Sequence, residues 1–336
     1  MRRPAFRVLA PGPSATIQDL GRPGWFSCGV GVAGAADTVS HRLANALVGN
    51  DELAATVECV LGGLQLKALA PIAVAITGAP APITVDGAEA PHSTLLELAE
   101  GQELRLGLAT VGMRVYLAVR GGVAAEPVLG SRSRDTMAGV GPDPLQAGDE
   151  FRVGPAPLTS PGPVAPARRL TMDPLRVRVA LGPRDDWFAR PTDLFTSHWT
   201  VSDRLDRVGV RLDRPAGAPP LTRLTTDELA SEGVATGSIQ VPPSGEPVVF
   251  LADHPITGGY PVIGVVLTDD IPLLAQARPG QQVLFRDAAG SADPARRSLT
   301  TADLGSIGLR GHPSSTEIAA ILAALSVAAA TPSGRL

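Results

Sequence analysis

The stretch Leu175-Arg176-Val177-Arg178-Val179-Ala180-Leu181 decides how the chain is read. Its apolar and charged residues alternate with a period of two, which suits a strand with one wet face and not a helix. The same grammar recurs on either side of it. Residues 73–77 (AVAIT) are β-branched and lie between Pro71 and Gly78, and residues 114–119 (RVYLAV) alternate ahead of Gly121-Gly122. Residues 83–85 followed by Asp86-Gly87 form a hairpin signal, because Asp and Gly tolerate the positive φ of a two-residue turn. Residues 8–10, 248–251 and 262–267 read as further strands.

Composition agrees with that pattern. The 336 residues include 37 Gly and 32 Pro, which break the chain into many short segments. With 44% hydrophobic and 18% charged residues, the chain is too apolar and too weakly charged to be disordered. The reading is a mainly β protein with few short helices. One helix is expected at residues 37–48, capped by Asp37, with Val39, Leu43, Ala46 and Leu47 as its apolar stripe. A second, Ala-rich helix is expected at residues 318–330, capped by Ser315 or Thr316 with Glu317 in its first turn.

The length fits two domains or one large β domain. A proline-dense stretch, with Pro155, Pro157, Pro161, Pro163, Pro166 and Pro174, reads as a semi-rigid spacer. It divides the chain into a β domain at 1–155, a linker at 156–174, a second β domain at 175–290 and a tail at 291–336. One turn pattern recurs before a strand at Gly101, Gly148 and Gly280, which hints at similar architecture in the two halves.

Several functions are excluded. The net charge of −4 leaves no basic stripe for nucleic acid. No apolar run reaches the roughly 18 residues of a membrane span, and no apolar segment follows the N-terminal Arg residues as a signal peptide requires. Cys28 and Cys59 make no disulfide framework and read as two buried thiols of a reduced, cytoplasmic protein. Five His and two Cys never reach metal-ligand spacing, so no metal is expected. Residues 29–34 (GVGVAG) fit a dinucleotide fingerprint by letter, but no buried strand precedes them and no βαβ alternation follows. No phosphate-binding GxxxxGK[ST] loop and no GxSxG elbow is present. The chain is expected to bind no cofactor itself, and its one lysine, Lys67, sits in QLKAL.

Three segments carry candidate chemistry. Gln18, Asp19 and Arg22 lie on a Gly- and Pro-held loop, which reads either as a binding loop or as a tight turn with a structural Asp19–Arg22 pair. Residues 29–50 permit close backbone approach and contain Asp37 with its helix. The richest segment contains Glu232, Gln240, Asp253, His254, Thr257, Gly258, Gly259 and Tyr260. Asp253 and His254 suit general acid–base work, and the Gly258-Gly259 pair suits an anion-holding nest of backbone N–H groups.

Taken together and in order, these segments resemble the biotin-dependent carboxyltransferase-like family, also described as allophanate hydrolase subunit 2. The matching stretches are QDLGRPG (18–24), GVGVAGAADTVSHRLANALVGN (29–50), VLGSRSRDT (128–136), SEGVATGSIQVPPSGEPVVFLADHPITGGYP (231–261) and LLAQARPGQQVLF (273–285). The sequence departs from relatives in reading AGAAD at 33–37 where SGAMD is common, and in placing Val262 where a basic residue often follows GGYP.

The resemblance implies two cyclophilin-like β-barrel domains. It implies a hydrolase role as the C component of an ATP-dependent 5-oxoprolinase, which opens 5-oxo-L-proline to glutamate. The partners would be a KipI-like subunit, its B component, and a LamB/YcsF-like subunit, its A component, with ATP used by the complex. On that basis Asp253, His254 and Tyr260 are expected to be catalytic. Gln18, Asp19, Arg22, Asp37, Glu232, Gln240, Thr257, Gly258 and Gly259 are expected to bind a small lactam or amide. Two alternatives remain. One is a carboxyltransferase-type subunit of a urea carboxylase or allophanate hydrolase system with a separate biotin carrier. The other is a KipA-type regulator that binds a KipI-like kinase inhibitor.

Overall fold

The computed structural model describes residues 3–157, 167–225 and 227–289. The expected helix at 318–330 and the rest of the tail lie outside the described residues. The described residues form two compact units, one up to Asp173 with Ala275–Arg278 and one of Pro174–Leu274 with Pro279 to Ala289. The return of Ala275–Arg278 to the first unit is announced by nothing in the sequence. The fold is mainly β, and no helix among the described residues is long and apolar enough to cross a membrane.

In the first unit the strands form two antiparallel sheets. A seven-stranded sheet runs in the order Val123–Ala124, Glu150–Val153, Phe6–Ala10, Gln65–Ala68, Glu103–Leu106, Ile83–Val85, Ala88–Glu89. A five-stranded sheet runs Ser14–Gln18, Thr56–Val60, Arg114–Val119, Ile72–Gly78, Leu95–Leu98. Phe6, Leu66 and Leu104 of the first sheet share one core with Ile17, Val57, Ile76 and Leu117 of the second. Each such buried side chain contributes about 1.5–3 kcal/mol, which is what holds two half-wet sheets together.

The second unit contains a closed barrel of seven strands. In order these are Leu175–Leu181, Val262–Val266, Ser238–Gln240, Val248–Phe250, Gly209–Asp213, Trp199–Val201 and Gln282–Asp287, the last pairing in parallel with the first. The opening stretch behaves as its pattern predicts: Val177 and Val179 are buried and Arg176 is exposed. Arg178 turns its guanidinium onto Asp270, with two bonds of 2.9 Å.

The turn signals are equally literal. Asp86 and Gly87 both take positive φ (49° and 83°), as a two-residue hairpin requires. Gly101, Gly148 and Gly280 have φ of 94°, 97° and 82° just before their strands, so their recurrence is shared turn geometry.

Three expectations need correction. The helix forms at Thr38–Leu47 with Asp37 as its N-cap, but its buried residues are His41, Ala44 and Asn45, while Val39 is exposed. Polar residues can face inward there because each finds a partner. His41 Nε2 donates to the Glu52 carbonyl (2.9 Å), its Nδ1 meets Thr56 Oγ1 (2.9 Å), and Asn45 Nδ2 donates to the Ala54 carbonyl (2.8 Å). The strand Arg114–Val119 alternates in sequence yet is buried at every position, since its polar members enter an interior network described below. Of the two thiols, Cys59 is buried, where desolvation raises its pKa, and Cys28 is exposed.

Gln276 ties the returning segment down with all of its amide capacity. Its Oε1 accepts from the N–H groups of Met113 (2.8 Å) and Arg114 (2.9 Å), and its Nε2 donates to Asp37 Oδ2 (2.8 Å) and the Arg114 carbonyl (2.9 Å). Gln276→Leu leaves buried backbone groups unpaired and is expected to cost about 3 kcal/mol in denaturant unfolding. A loss below about 0.5 kcal/mol would show that this amide does not hold the segment.

Burial also lowers the pKa of His41 below 6.5, and that of His92 in the same sense. The unfolded chain then binds protons that the folded chain resists. Stability is fully present above pH 6.5 and falls as the pH drops below that value. Thermal melts between pH 8 and pH 5 should show this slope, and His41→Gln should flatten it while lowering the melting temperature at pH 8. An unchanged slope in that variant would exclude His41 as its source.

Candidate functional site

The candidate residues fall into two groups, one in each unit, and each is built around buried carboxylates. In the first unit, Asp19 follows the strand Ser14–Gln18 and is almost fully buried. Its carboxylate accepts from Gly21 N–H (2.8 Å), Ser131 Oγ (2.6 Å), Arg132 N–H (2.6 Å) and Ser133 Oγ (2.6 Å). Gln18 Nε2 donates to Thr16 Oγ1 and to the Arg134 carbonyl, both at 3.0 Å. Arg22 donates to the carbonyl oxygens of Ser133 and Val128. The QDLGRPG segment therefore clamps the 128–136 segment, and its three polar side chains are turned into the protein rather than towards solvent.

Asp37 belongs to a second interior network. It accepts from Ser40 N–H (3.0 Å), Ser40 Oγ (2.6 Å) and Gln276 Nε2 (2.8 Å), and its own N–H donates to Tyr116 Oη (2.8 Å). Tyr116 donates to Glu58 Oε2 (2.7 Å), which also accepts from Ala36 N–H (3.0 Å). Arg114 Nε lies 3.4 Å from Glu58 Oε1. Burial first, and then the Glu58 charge, push the Tyr116 phenol well above its usual pKa. Tyr116 therefore stays protonated and serves as a relay of hydrogen bonds. Sequence reading missed Glu58, Arg114, Tyr116 and Gln276, although charged and phenolic positions inside an apolar strand were the available signal.

In the second unit Asp253 is held by Arg207. Two parallel bonds of 2.9 Å join Nε and Nη2 to the two carboxylate oxygens, and the Asp253 side chain is 0% exposed. Bidentate pairing of this kind is strong and geometrically exacting. The adjacent backbone is pinned as well, with Asp253 N–H donating to the Arg207 carbonyl (3.0 Å). His254 is buried, stacks on Phe250 at 6.0 Å and places Nδ1 2.7 Å from the Pro255 carbonyl. A carbonyl can only accept, so the proton sits on Nδ1.

Thr257–Gly258 pairs with Glu232–Gly233 as a two-stranded ribbon beside the barrel. The Glu232 carboxylate is taken by both nitrogens of an Arg184 fork. Gln240 Nε2 donates to the Tyr260 carbonyl (3.1 Å), and Thr257, Gly259 and Tyr260 are exposed. The second unit thus offers an accessible loop, 257–260, backed by buried and mutually paired Asp253 and Arg207 and by the half-buried pair Glu232 and Arg184. Arg207 was missed from sequence, as a lone cation at the edge of a strand has no local partner. Among the described residues no group of three or more His, Cys, Asp or Glu side chains is placed to hold a metal ion.

Removing one member of a buried pair leaves the other charge unpaired. Arg207→Ala is expected to destabilise the chain by about 3–5 kcal/mol in denaturant unfolding, whereas Arg207→Met with Asp253→Leu should recover most of that loss. A single substitution costing less than about 1 kcal/mol would show that the pair is not a structural anchor.

Comparisons with known proteins agree with this architecture. The family described as carboxyltransferase domain, subdomain A and B, matches residues 28–287. The C component of Escherichia coli 5-oxoprolinase is 34% identical over 83% of this chain and 90% of its own length. The crystal structure of TTHA0988 superimposes with a TM-score of 0.76 at 36% identity, over 85% of this chain and 56% of that chain, so the present chain spans little more than half of it. The Kluyveromyces lactis urea amidolyase structure gives a TM-score of 0.79 at 29% identity, over 85% of this chain and 19% of that chain. With the family pattern running through both units, the protein belongs to the carboxyltransferase family defined by subdomains A and B.

Proposed function

We propose that the chain is the C component of an ATP-dependent 5-oxoprolinase, a hydrolase complex that opens the lactam of 5-oxo-L-proline to L-glutamate with KipI-like and LamB/YcsF-like subunits. One observation carries the reading: the alignment with the Escherichia coli 5-oxoprolinase component accounts for 90% of that protein, whereas the likeness to urea amidolyase accounts for 19% of a much longer chain. That match over nearly the whole of a 5-oxoprolinase component supports giving this chain the same role.

Lactam opening adds water across the C–N bond, and ATP handled by a partner subunit drives it. The task left to this chain is to hold the substrate and move a proton. His254 suits proton transfer, because the bond from Nδ1 to Pro255 fixes the ring and leaves Nε2 as its basic side. Tyr260, at 44% exposure, can donate its phenol proton to the lactam oxygen. Asp253 has no exposed carboxylate surface, so its part is to position the loop through Arg207. Thr257, Gly258 and Gly259 present backbone to the ligand, with Gln240 holding the Tyr260 carbonyl behind them.

The test is reconstitution with both partner subunits, ATP and 5-oxo-L-proline, following glutamate. His254→Gln should lower kcat by about 100-fold or more with an unchanged melting temperature. Asp253→Asn should lower both stability and activity. Full activity in both variants would remove the site assignment. Turnover of urea that requires biotin and bicarbonate would favour the carboxyltransferase reading, for which the urea amidolyase likeness speaks. Tight association with a KipI-like chain and no turnover of any lactam would favour the regulator.

A further inference from the structure

The loop around Tyr260 holds a positive charge with no counter-ion among the described residues. The Arg223 guanidinium lies over the Tyr260 ring, 5.6 Å from its centroid. Its Nη2 donates to the Val241 carbonyl (2.8 Å), while its Nε is buried with no hydrogen-bond partner. Among the described residues Arg223 enters no ion pair. Glu232, whose backbone pairs with Gly258, does not serve it, because Arg184 already holds that carboxylate. The N–H groups of Gly259 and Tyr260 likewise have no acceptor among the described residues.

A partly buried cation over the Tyr260 ring, at a loop whose Gly259 and Tyr260 N–H groups are unused, favours an anion. The space is open: a Cβ built on Gly259 would meet the Leu229 carbonyl oxygen at 3.8 Å and nothing nearer. We infer that Arg223, with the N–H groups of Gly259 and Tyr260, forms a subsite for the carboxylate of a small acidic lactam. The inference rests on the 5-oxoprolinase reading and deepens it. 5-Oxo-L-proline carries a carboxylate beside its lactam ring, whereas urea and simple amides carry none. A guanidinium stays charged at every working pH and matches a carboxylate bidentately, so the subsite selects acids against neutral amides.

The experiment compares wild type, Arg223→Gln and Arg223→Lys in the reconstituted complex. Arg223→Gln should raise KM for 5-oxo-L-proline about tenfold or more with kcat within about threefold, and Arg223→Lys should recover part of the loss. 2-Pyrrolidinone, the same ring without the carboxylate, should compete weakly and equally against wild type and variant. Where Arg223→Gln fails to fold, Gly259→Val leaves the cation in place, fills the space beside it and should raise KM in the same way. A KM within about twofold of wild type in an active complex overturns the subsite and leaves the 5-oxoprolinase reading standing. A wild-type complex without turnover overturns that reading instead. Calorimetric titration of 5-oxo-L-proline into the full wild-type and variant chains then decides the subsite: a Kd about tenfold weaker in Arg223→Gln supports it, and equal or absent binding overturns it.

Discussion

A carboxylate withdrawn from water must regain its lost hydration from donors or a cation, and that requirement fixes the loops of this protein. Asp19 meets it with four donors drawn from its own turn and from the 131–133 segment. Glu58 meets it with the Tyr116 phenol, the Ala36 N–H and the Arg114 cation. Asp253 meets it with one bidentate arginine. The sheets supply the apolar core, but their connections carry the polar residues, and irregular backbone has no ladder to hold it. Buried acid groups take over that role. This is why the loops most crowded with candidate residues are also the ones most heavily bonded.

That principle separates what the sequence makes legible from what it hides. The strand Leu175–Leu181 and the Asp86-Gly87 turn are visible because their signals are local: a period of two, and a pair of residues that tolerate positive φ. Asp37 is visible as a helix cap for the same reason. The buried face of that helix is not visible, since His41 and Asn45 become acceptable inside through carbonyl groups of Glu52 and Ala54 on a later loop. The side-chain donors to Asp19 lie 112 and 114 residues away, and the partner of Asp253 lies 46 residues upstream. No spacing rule reaches that far. The segments stand out by composition, but their charged residues pair with partners outside each segment.

The arginines show how position, more than residue type, sets the task. Arg207 and Asp253 are buried and joined by a bidentate pair just ahead of His254. Arg184 and Glu232 pair likewise at the ribbon that holds Thr257 and Gly258, at partial exposure. Arg114 is committed to Glu58 and to the Ala275 carbonyl. In each case the charge is neutralised where it stands, and the energy of the pair goes into fixing backbone.

Arg223 differs from these three: among the described residues it enters no ion pair, and its Nε is buried without a hydrogen-bond partner. Holding a partly buried guanidinium without a carboxylate tolerates a desolvation cost. The ring of Tyr260 offsets a part of that cost through its electron-rich face, at most a modest part for a half-exposed aromatic. The remainder is recovered when an anion arrives. A charge without an ion pair, stacked on an exposed loop that has unused backbone donors, suits a preorganised binding feature, in which the desolvation cost is met during folding and not at the moment of binding. The pairs Arg207–Asp253 and Arg184–Glu232 anchor the residues on either side of that loop, so the two kinds of arginine have different tasks: the paired ones fix backbone and the remaining one is proposed to select the ligand.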